Sequence, residues 1–296
     1  MWLADQWNDY EVIDCSKGEK LERWGDYLLV RPDPQVIWDT PKKEKGWRKM
    51  NGHYHRSSKG GGEWEFFQLP KEWTIQYSLP INKKLTFHLK PFSFKHTGLF
   101  PEQAANWNWF SQLIADAVSK GRQVKVLNLF AYTGGATLAA AAAGASVTHV
   151  DASKGMVTWA KENAISSGLK DAPIRWLVDD CVKFVEREIR RWNHYDAIIM
   201  DPPSYGRGPK GEIWKIEESV YPLIQLCSQI LTDNPLFFLI NSYTTGLQPA
   251  VLSYMISTVL GTANGTVTAS EIGLPVSSNG LVLPCGASGR YEATGI

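Results

Sequence analysis

Residues 124–151 read VKVLNLFAYTGGATLAAAAAGASVTHVD. The run VKVLNLF (124–130) is apolar without alternation, the mark of a strand covered on both faces. A glycine pair, Gly134-Gly135, interrupts it. The alanine-rich GATLAAAAAG that follows reads as a helix. SVTHVD (146–151) is a second strand, and it ends in an acid. A buried strand, a glycine turn, a helix and another strand make one parallel βαβ unit.

The same alternation continues downstream. SKGMVTWAKENAISSG (153–168) is a helix with Ser153 at its N-cap and Gly168 beyond its end. IRWLVDD (174–180) is a strand and CVKFVEREIRRW (181–192) a helix. YDAIIMD (195–201) is another buried strand. A helix at 216–231, a strand LFFLIN (236–241) and a helix at 249–261 follow. GTVTASEIGL (265–274) and GLVLPCG (280–286) read as closing strands. Upstream, PEQAANWNWFSQLIADAVSKG (101–121) is a helix with Pro101 in its first turn. Residues 100–296 are therefore expected to form a doubly wound α/β domain with a mostly parallel, seven-stranded sheet. Residues 1–99 differ. Short alternating runs, YLLVRPD, EWEFFQL, WTIQYSL and LTFHLKPF, are punctuated by Pro and Gly, as in a small β-rich domain.

Composition narrows the class. At 296 residues the chain is long enough for one large domain with a small companion. Its net charge of +1 excludes a generic polyanion binder, so a nucleic-acid site would need local clustering. Cys15, Cys181, Cys227 and Cys285 are dispersed and form no CxxC, which argues against a zinc site or a disulfide framework. No metal is expected. MWLADQWNDYE carries no signal-peptide pattern, and the oily run TLAAAAAGA is too short to cross a bilayer. A cytoplasmic protein without membrane contact is the expectation.

Ligands of such sheets bind beyond the carboxyl ends of the strands. Gly134 and Gly135 let backbone approach a ligand, and the next helix offers free N–H groups. Asp151, at the second strand end, can accept hydrogen bonds from both ribose hydroxyls. Asp179-Asp180, at the third, can take the amino group of adenine. Asn128, Ala152, Ser153 and Cys181 flank these ends and join the expected lining. Together the three ends describe an adenosine pocket. G-x-G-x-x-G is absent, which weakens a dinucleotide reading, and no Lys-Ser/Thr follows the glycines as a phosphate-binding P-loop requires.

The fourth strand delivers Asp201-Pro202-Pro203-Ser204-Tyr205 beside that pocket. Two prolines stiffen the turn and hold Asp201 in place. Tyr205 offers a flat face for a base. The loop GRGPKG is expected to move over a substrate, with Arg207 and Lys210 meeting phosphate. Asp201, Pro202, Pro203 and Tyr205 are the catalytic candidates. In the basic window 42–62, seven Lys or Arg accompany one acid, with Trp47, His53, Tyr54 and His55 interleaved. Lys43, Arg48 and Arg56 are candidate RNA contacts there. An exposed hairpin of no special function is the alternative.

FAYTGG, VDAS, KENA, DD and DPPSY, in that order and spacing, resemble class I S-adenosylmethionine-dependent methyltransferases. More narrowly they resemble the bacterial large-subunit ribosomal RNA methyltransferase group, over about residues 80–290. KHTGLFPEQAANW is similar to that group's Gly-Phe-x-x-Asp-Gln-Arg segment. Gln103 matches its glutamine near the cofactor, whereas Glu102 and Ala104 replace its Asp and Arg. The resemblance implies S-adenosylmethionine as cofactor. It places Phe130, Ala131, Tyr132, Thr133 and Gly134 around the methionine part, Asp151 on the ribose, Asp180 on the adenine and Asn163 as a brace. It implies RNA, ribosomal in the group's manner, as partner; a homodimer is an open expectation. The 5-methylcytosine members carry a nucleophilic cysteine after the fifth strand. INSYTTG (240–246) has none, which moves the expected acceptor to nitrogen or oxygen. A protein or small-molecule acceptor, and a non-catalytic nucleotide-binding module, stay open as alternatives.

Overall fold

The computed structural model describes residues 1–92, 94–208 and 210–295. After a two-residue strand β1 (Trp2–Leu3), the chain forms β2 (Tyr10–Ser16), β3 (Glu19–Trp24), β4 (Tyr27–Pro32), β5 (Gly52–Arg56) and β6 (Gly62–Phe66), which pair in sequence order as a five-stranded sheet. A hairpin of β7 (Trp73–Leu79) and β8 (Lys83–Leu89) follows. Then come α1 (Ala104–Ser119), β9 (Lys125–Leu129), α2 (Gly135–Ala142), β10 (Ser146–Asp151), α3 (Lys154–Ser166), β11 (Ile174–Val178), α4 (Cys181–Arg190) and β12 (Ala197–Met200). A short hairpin, β13 (Tyr205–Arg207) and β14 (Ile213–Lys215), precedes α5 (Ile216–Ser228), β15 (Phe237–Ser242), α6 (Pro249–Leu260), β16 (Gly265–Pro275) and β17 (Val282–Ala293).

The large sheet has the order β1-β16-β17-β15-β12-β9-β10-β11. The seven expected strands are all in it. An eighth joins them, because Trp2 and Leu3 pair in parallel with Ile272 and Gly273 at the edge. Strands β9, β10, β11, β12 and β15 are mutually parallel, and β17 runs antiparallel between β15 and β16. The last strand extends well past residue 286, since Ala287 to Glu292 also pair with β15.

The unbroken apolar strands follow from two covered faces. On β12, Ala197 and Ile199 join the core under α1 and α2, whereas Ile198 and Met200 join the core under α4, α5 and α6. Successive strand side chains point to opposite faces, so each must find its own layer. The first of these cores also takes in Tyr10, Trp24, Tyr77 and Phe87 from the N-terminal third. Two backbone bonds, Ser277 N to Val12 O at 2.9 Å and Ser278 N to Ile13 O at 3.0 Å, tie the small sheet to the β16–β17 turn. Among the described residues no helix is long and apolar enough to cross a membrane.

Candidate active site

Strand order reverses between β9 and β12, and a doubly wound sheet opens its crevice at the carboxyl ends beside such a reversal. A cavity of about 490 Å³ lies there, inside the size range of small-molecule sites. A narrower one of about 50 Å³ continues from it, and both are walled by Phe100, Phe130, Tyr132 and Asp201.

The FAYTGG loop is shaped by left-handed backbone at Phe130 (φ 54°), Tyr132 (φ 54°) and Gly134 (φ 86°). Left-handed backbone costs a non-glycine residue about 1–2 kcal/mol, so the loop needs ties. Ala131 N donates to Val150 O at 3.0 Å, and Tyr132 N to Asp151 Oδ2 at 2.8 Å. Thr133 Oγ1 donates to Gly98 O at 2.6 Å. Asn163 braces the loop from behind: its Nδ2 donates to Thr133 O at 2.9 Å while its Oδ1 accepts His88 N at 2.8 Å. At Gly134 an added Cβ would stand 3.0 Å from that of Ala160, so the close approach as well as the φ angle selects glycine.

Asp151 accepts Ser153 N at 2.8 Å through its other oxygen, and burial raises its carboxyl pKa. Its carboxylate is thus held by two backbone N–H groups at the cavity wall. Asp180 caps α4, accepting Lys183 N at 2.9 Å, and lines the same cavity. Asp179 is turned away into an ion pair with Arg187. Cys181 is buried behind Phe130, whose N–H donates to Sγ at 3.3 Å, and burial pushes its thiol pKa up.

The DPPS turn is held from both sides. Trp214 Nε1 donates to Pro203 O at 2.7 Å, and the Ser204 and Thr244 hydroxyls share a bond of 2.6 Å. Asp201 accepts no side-chain hydrogen bond from the described residues. Lost hydration, reinforced by the charge of Glu102, lifts its pKa from 3.8 to about 7. What reads as a mobile GRGPKG loop is in part the β13–β14 hairpin; Pro209 lies outside the described residues. Gly206, Arg207 and Gly208 line the cavity there.

The structure gathers most of the sequence candidates. Asp151, Ala152, Ser153, Asp180, Cys181, Pro202, Pro203 and Arg207 line the larger cavity. Gln103, Asn128, Ala131, Thr133 and Gly135 line the narrower one. Gly134, Asp179, Tyr205 and Lys210 lie outside both linings; Tyr205 is 51% exposed. The basic window is not a free arm. Trp47 and Tyr54 are buried, Trp47 donating to Asp14 at 2.9 Å, so neither ring is available to a base. Lys42 is paired with Glu19 at 2.9 Å. Lys43, Arg48 and Arg56 are exposed, and none of them lines either cavity.

Sequence reasoning missed an aromatic wall. Phe100 packs 5.2 Å from Tyr132, 5.7 Å from Tyr243 and 5.9 Å from His96, between ring centroids. Tyr243 Oη donates to Glu102 Oε1 at 2.9 Å and accepts Gln103 Nε2 at 2.8 Å. Burial and nearby cations lower the His96 pKa to about 4, so its ring is neutral at neutral pH. Tyr243 stands at the carboxyl end of the fifth parallel strand, a position the strand-end rule would have flagged. His96, Phe100 and Trp214 carry no comparable signal.

The residues present fit an adenosine cofactor bearing a positive charge. A braced carboxylate at Asp151 can receive a diol, and Asp180 can receive an amino group. Asp201 is an acid without a partner where the two cavities meet.

Residues 69–216 match the family model described as S-adenosylmethionine-dependent methyltransferase. A crystal structure of a SAM-dependent methyltransferase from Agrobacterium tumefaciens is 36% identical, with a TM-score of 0.88 over 97% of this chain and 91% of that one. The chain belongs to the S-adenosylmethionine-dependent methyltransferase family, and S-adenosylmethionine is its cofactor. Among curated relatives, the ribosomal RNA large subunit methyltransferase K/L of Shewanella oneidensis is 33% identical over 247 residues, 78% of this chain and 31% of that protein. The protein of the same name from Pseudoalteromonas atlantica is 28% identical over 257 residues, 76% of this chain and 33% of that protein. The chain spans about a third of the length of these curated relatives.

Proposed function

We propose that this methyltransferase acts on a base nitrogen of ribosomal RNA, in the cytoplasm. The observation that carries the reading is Asp201, a carboxyl with no partner at the junction of the cofactor cavity and the aromatic wall. The names of the curated relatives support the RNA substrate.

The cofactor supplies an electrophilic methyl group on a sulfonium. In this reading Gln103 and residues 131–135 hold its amino-acid end, Asp151 its ribose and Asp180 its adenine. Pro202 and Pro203 form one side of a slot for the target base, facing Phe100 and Tyr243. Asp201 accepts a hydrogen bond from a base N–H and so orients the nitrogen lone pair in line with the methyl group. Trp214 keeps the Pro203 carbonyl from turning.

A carbon acceptor would need a thiolate to attack the base. Cys181 is buried behind Phe130, and burial holds both its thiol and that of Cys285 in the protonated form. That supports nitrogen. The β-rich segment 1–99 would read the RNA around the target. The test is transfer of radiolabelled methyl to ribosomal RNA lacking its modifications, followed by digestion to nucleosides. Label in an N-methylated nucleoside is expected; label in a 5-methylpyrimidine overturns the nitrogen assignment, and label only in protein or small molecules overturns the RNA substrate.

A further inference from the structure

Behind the aromatic wall lies a third cavity, of about 320 Å³, between the small sheet and the start of α1. It shares His96, Phe100 and Tyr243 with the larger active-site cavity, so those rings stand between the two. Three cations face it: Lys20 from β3, Arg31 from β4 and Lys95 from the segment after β8.

Their compensation is uneven. Arg31 is held by Glu22 through bonds of 2.6 and 2.8 Å, and Lys20 lies 3.5 Å from Asp33. Lys95 has no carboxylate within ion-pair distance among the described residues; its ammonium donates to Pro32 O at 3.0 Å. Arg31 Nη1 grips the Lys95 carbonyl at 2.9 Å, which fixes the backbone carrying this extra charge. Glu102, on the same wall, already receives the Tyr243 hydroxyl, and burial shifts its carboxyl towards the neutral form. Burial and the neighbouring cations bring the Lys95 pKa down to about 8. Holding an unpaired ammonium beside two more cations is costly unless an anion arrives.

We propose that this cavity seats a backbone phosphate of the RNA strand next to the base being methylated, with Lys95 and Lys20 as its contacts and Arg31 as the brace. The base would lie on the DPPS side of the aromatic wall and its phosphate on the other. The proposal rests on the RNA reading above and supplies that reading with a strand contact directly behind the aromatic wall.

The test uses the full chain as wild type, Lys95→Gln and Lys20→Gln. Calorimetric affinity for S-adenosylmethionine comes first and should be unchanged, since neither lysine lines the cofactor cavities; if Lys95→Gln fails to bind cofactor through misfolding, Lys20→Gln decides. Methyl transfer to unmodified ribosomal RNA is then measured against salt. Each variant should raise KM for RNA about tenfold at low salt and flatten the slope of log KM against log salt by about 0.7 for one lost phosphate contact. Unchanged KM and slope in both variants overturn the phosphate seat and leave the RNA reading standing. Binding of inorganic phosphate, followed by phosphorus NMR, separates the two ideas. If RNA is not a substrate, the functional reading fails by itself. Phosphate binding lost in Lys95→Gln would then keep the anion site, and equal phosphate binding in all three proteins would remove it.

Discussion

Asp201→Asn probes the chemistry of the site most directly. The carboxyl of Asp201 stands without a partner and titrates at about 7 rather than 3.8, through lost hydration and the charge of Glu102. A group with that pKa is about 10% ionised at pH 6 and about 90% at pH 8. A ligand with a fixed positive charge binds the ionised form better. Wild-type affinity for S-adenosylmethionine should therefore rise by up to about tenfold between pH 6 and 8, and by linkage the bound cofactor draws the carboxyl pKa down. His96, at about 4, titrates below this window. The cofactor's own amino group, ordinarily near 7.7–8.0, titrates within it, but equally for both proteins. The difference between wild type and Asp201→Asn isolates the carboxyl. Calorimetry at pH 6, 7 and 8 is the assay, with S-adenosylhomocysteine, which lacks the sulfonium charge, as comparator. Wild type should gain more affinity than the variant, and more for the charged ligand than for the neutral one. Parallel pH profiles for the two proteins would refute the reasoning. Without ligand the sign reverses. The folded protein keeps the Asp201 proton up to about pH 7 and the unfolded chain loses it near 3.8, so stability falls as pH rises across that interval.

Asp151→Ala removes a charged acceptor and should weaken cofactor binding by about 1.5–3 kcal/mol, read by calorimetry as a loss of roughly 10- to 150-fold. Asn163→Leu leaves Thr133 O and His88 N unpaired in the interior. At about 1–3 kcal/mol for each orphaned group, denaturant unfolding should show a loss of about 2–6 kcal/mol; a smaller loss would mean the loop does not depend on this brace. Gly98→Ala places a Cβ 2.1 Å from the Trp159 ring at φ +101°, so thermal unfolding should show marked destabilisation together with weaker cofactor binding. Tyr205→Ala should leave cofactor affinity unchanged, because the ring stands outside both cavities.

Much of the fold was legible because the signals are local. VKVLNLF and YDAIIM are apolar throughout, and only a strand covered on both faces needs that pattern. Their ends, FAYTGG, VDAS, DD and DPPS, carry the pocket because parallel strands deliver their carboxyl ends to one edge. The strands β2, β3 and β5 were less visible. EVIDCS and EKLERW bury charged groups such as Asp14 and Glu22, which find their partners on other elements, and GHYHR buries only Gly52 and Tyr54. β1 was invisible, since two residues carry no periodicity and pair only because β16 offers an edge.

Short-range pattern was enough for the parallel sheet, the glycine loop and the acids at successive strand ends, because each depends on neighbours a few residues away. Long-range packing chose between Asp179 and Asp180, since Arg187, nearly two helical turns into α4, claims the first and leaves the second to the cavity. It also decided that Trp47 and Tyr54 belong to the core, and that Phe100 and Tyr243, 143 positions apart in the numbering, form one wall. Such outcomes depend on which side chains meet after the chain has closed on itself, and no local pattern encodes that meeting.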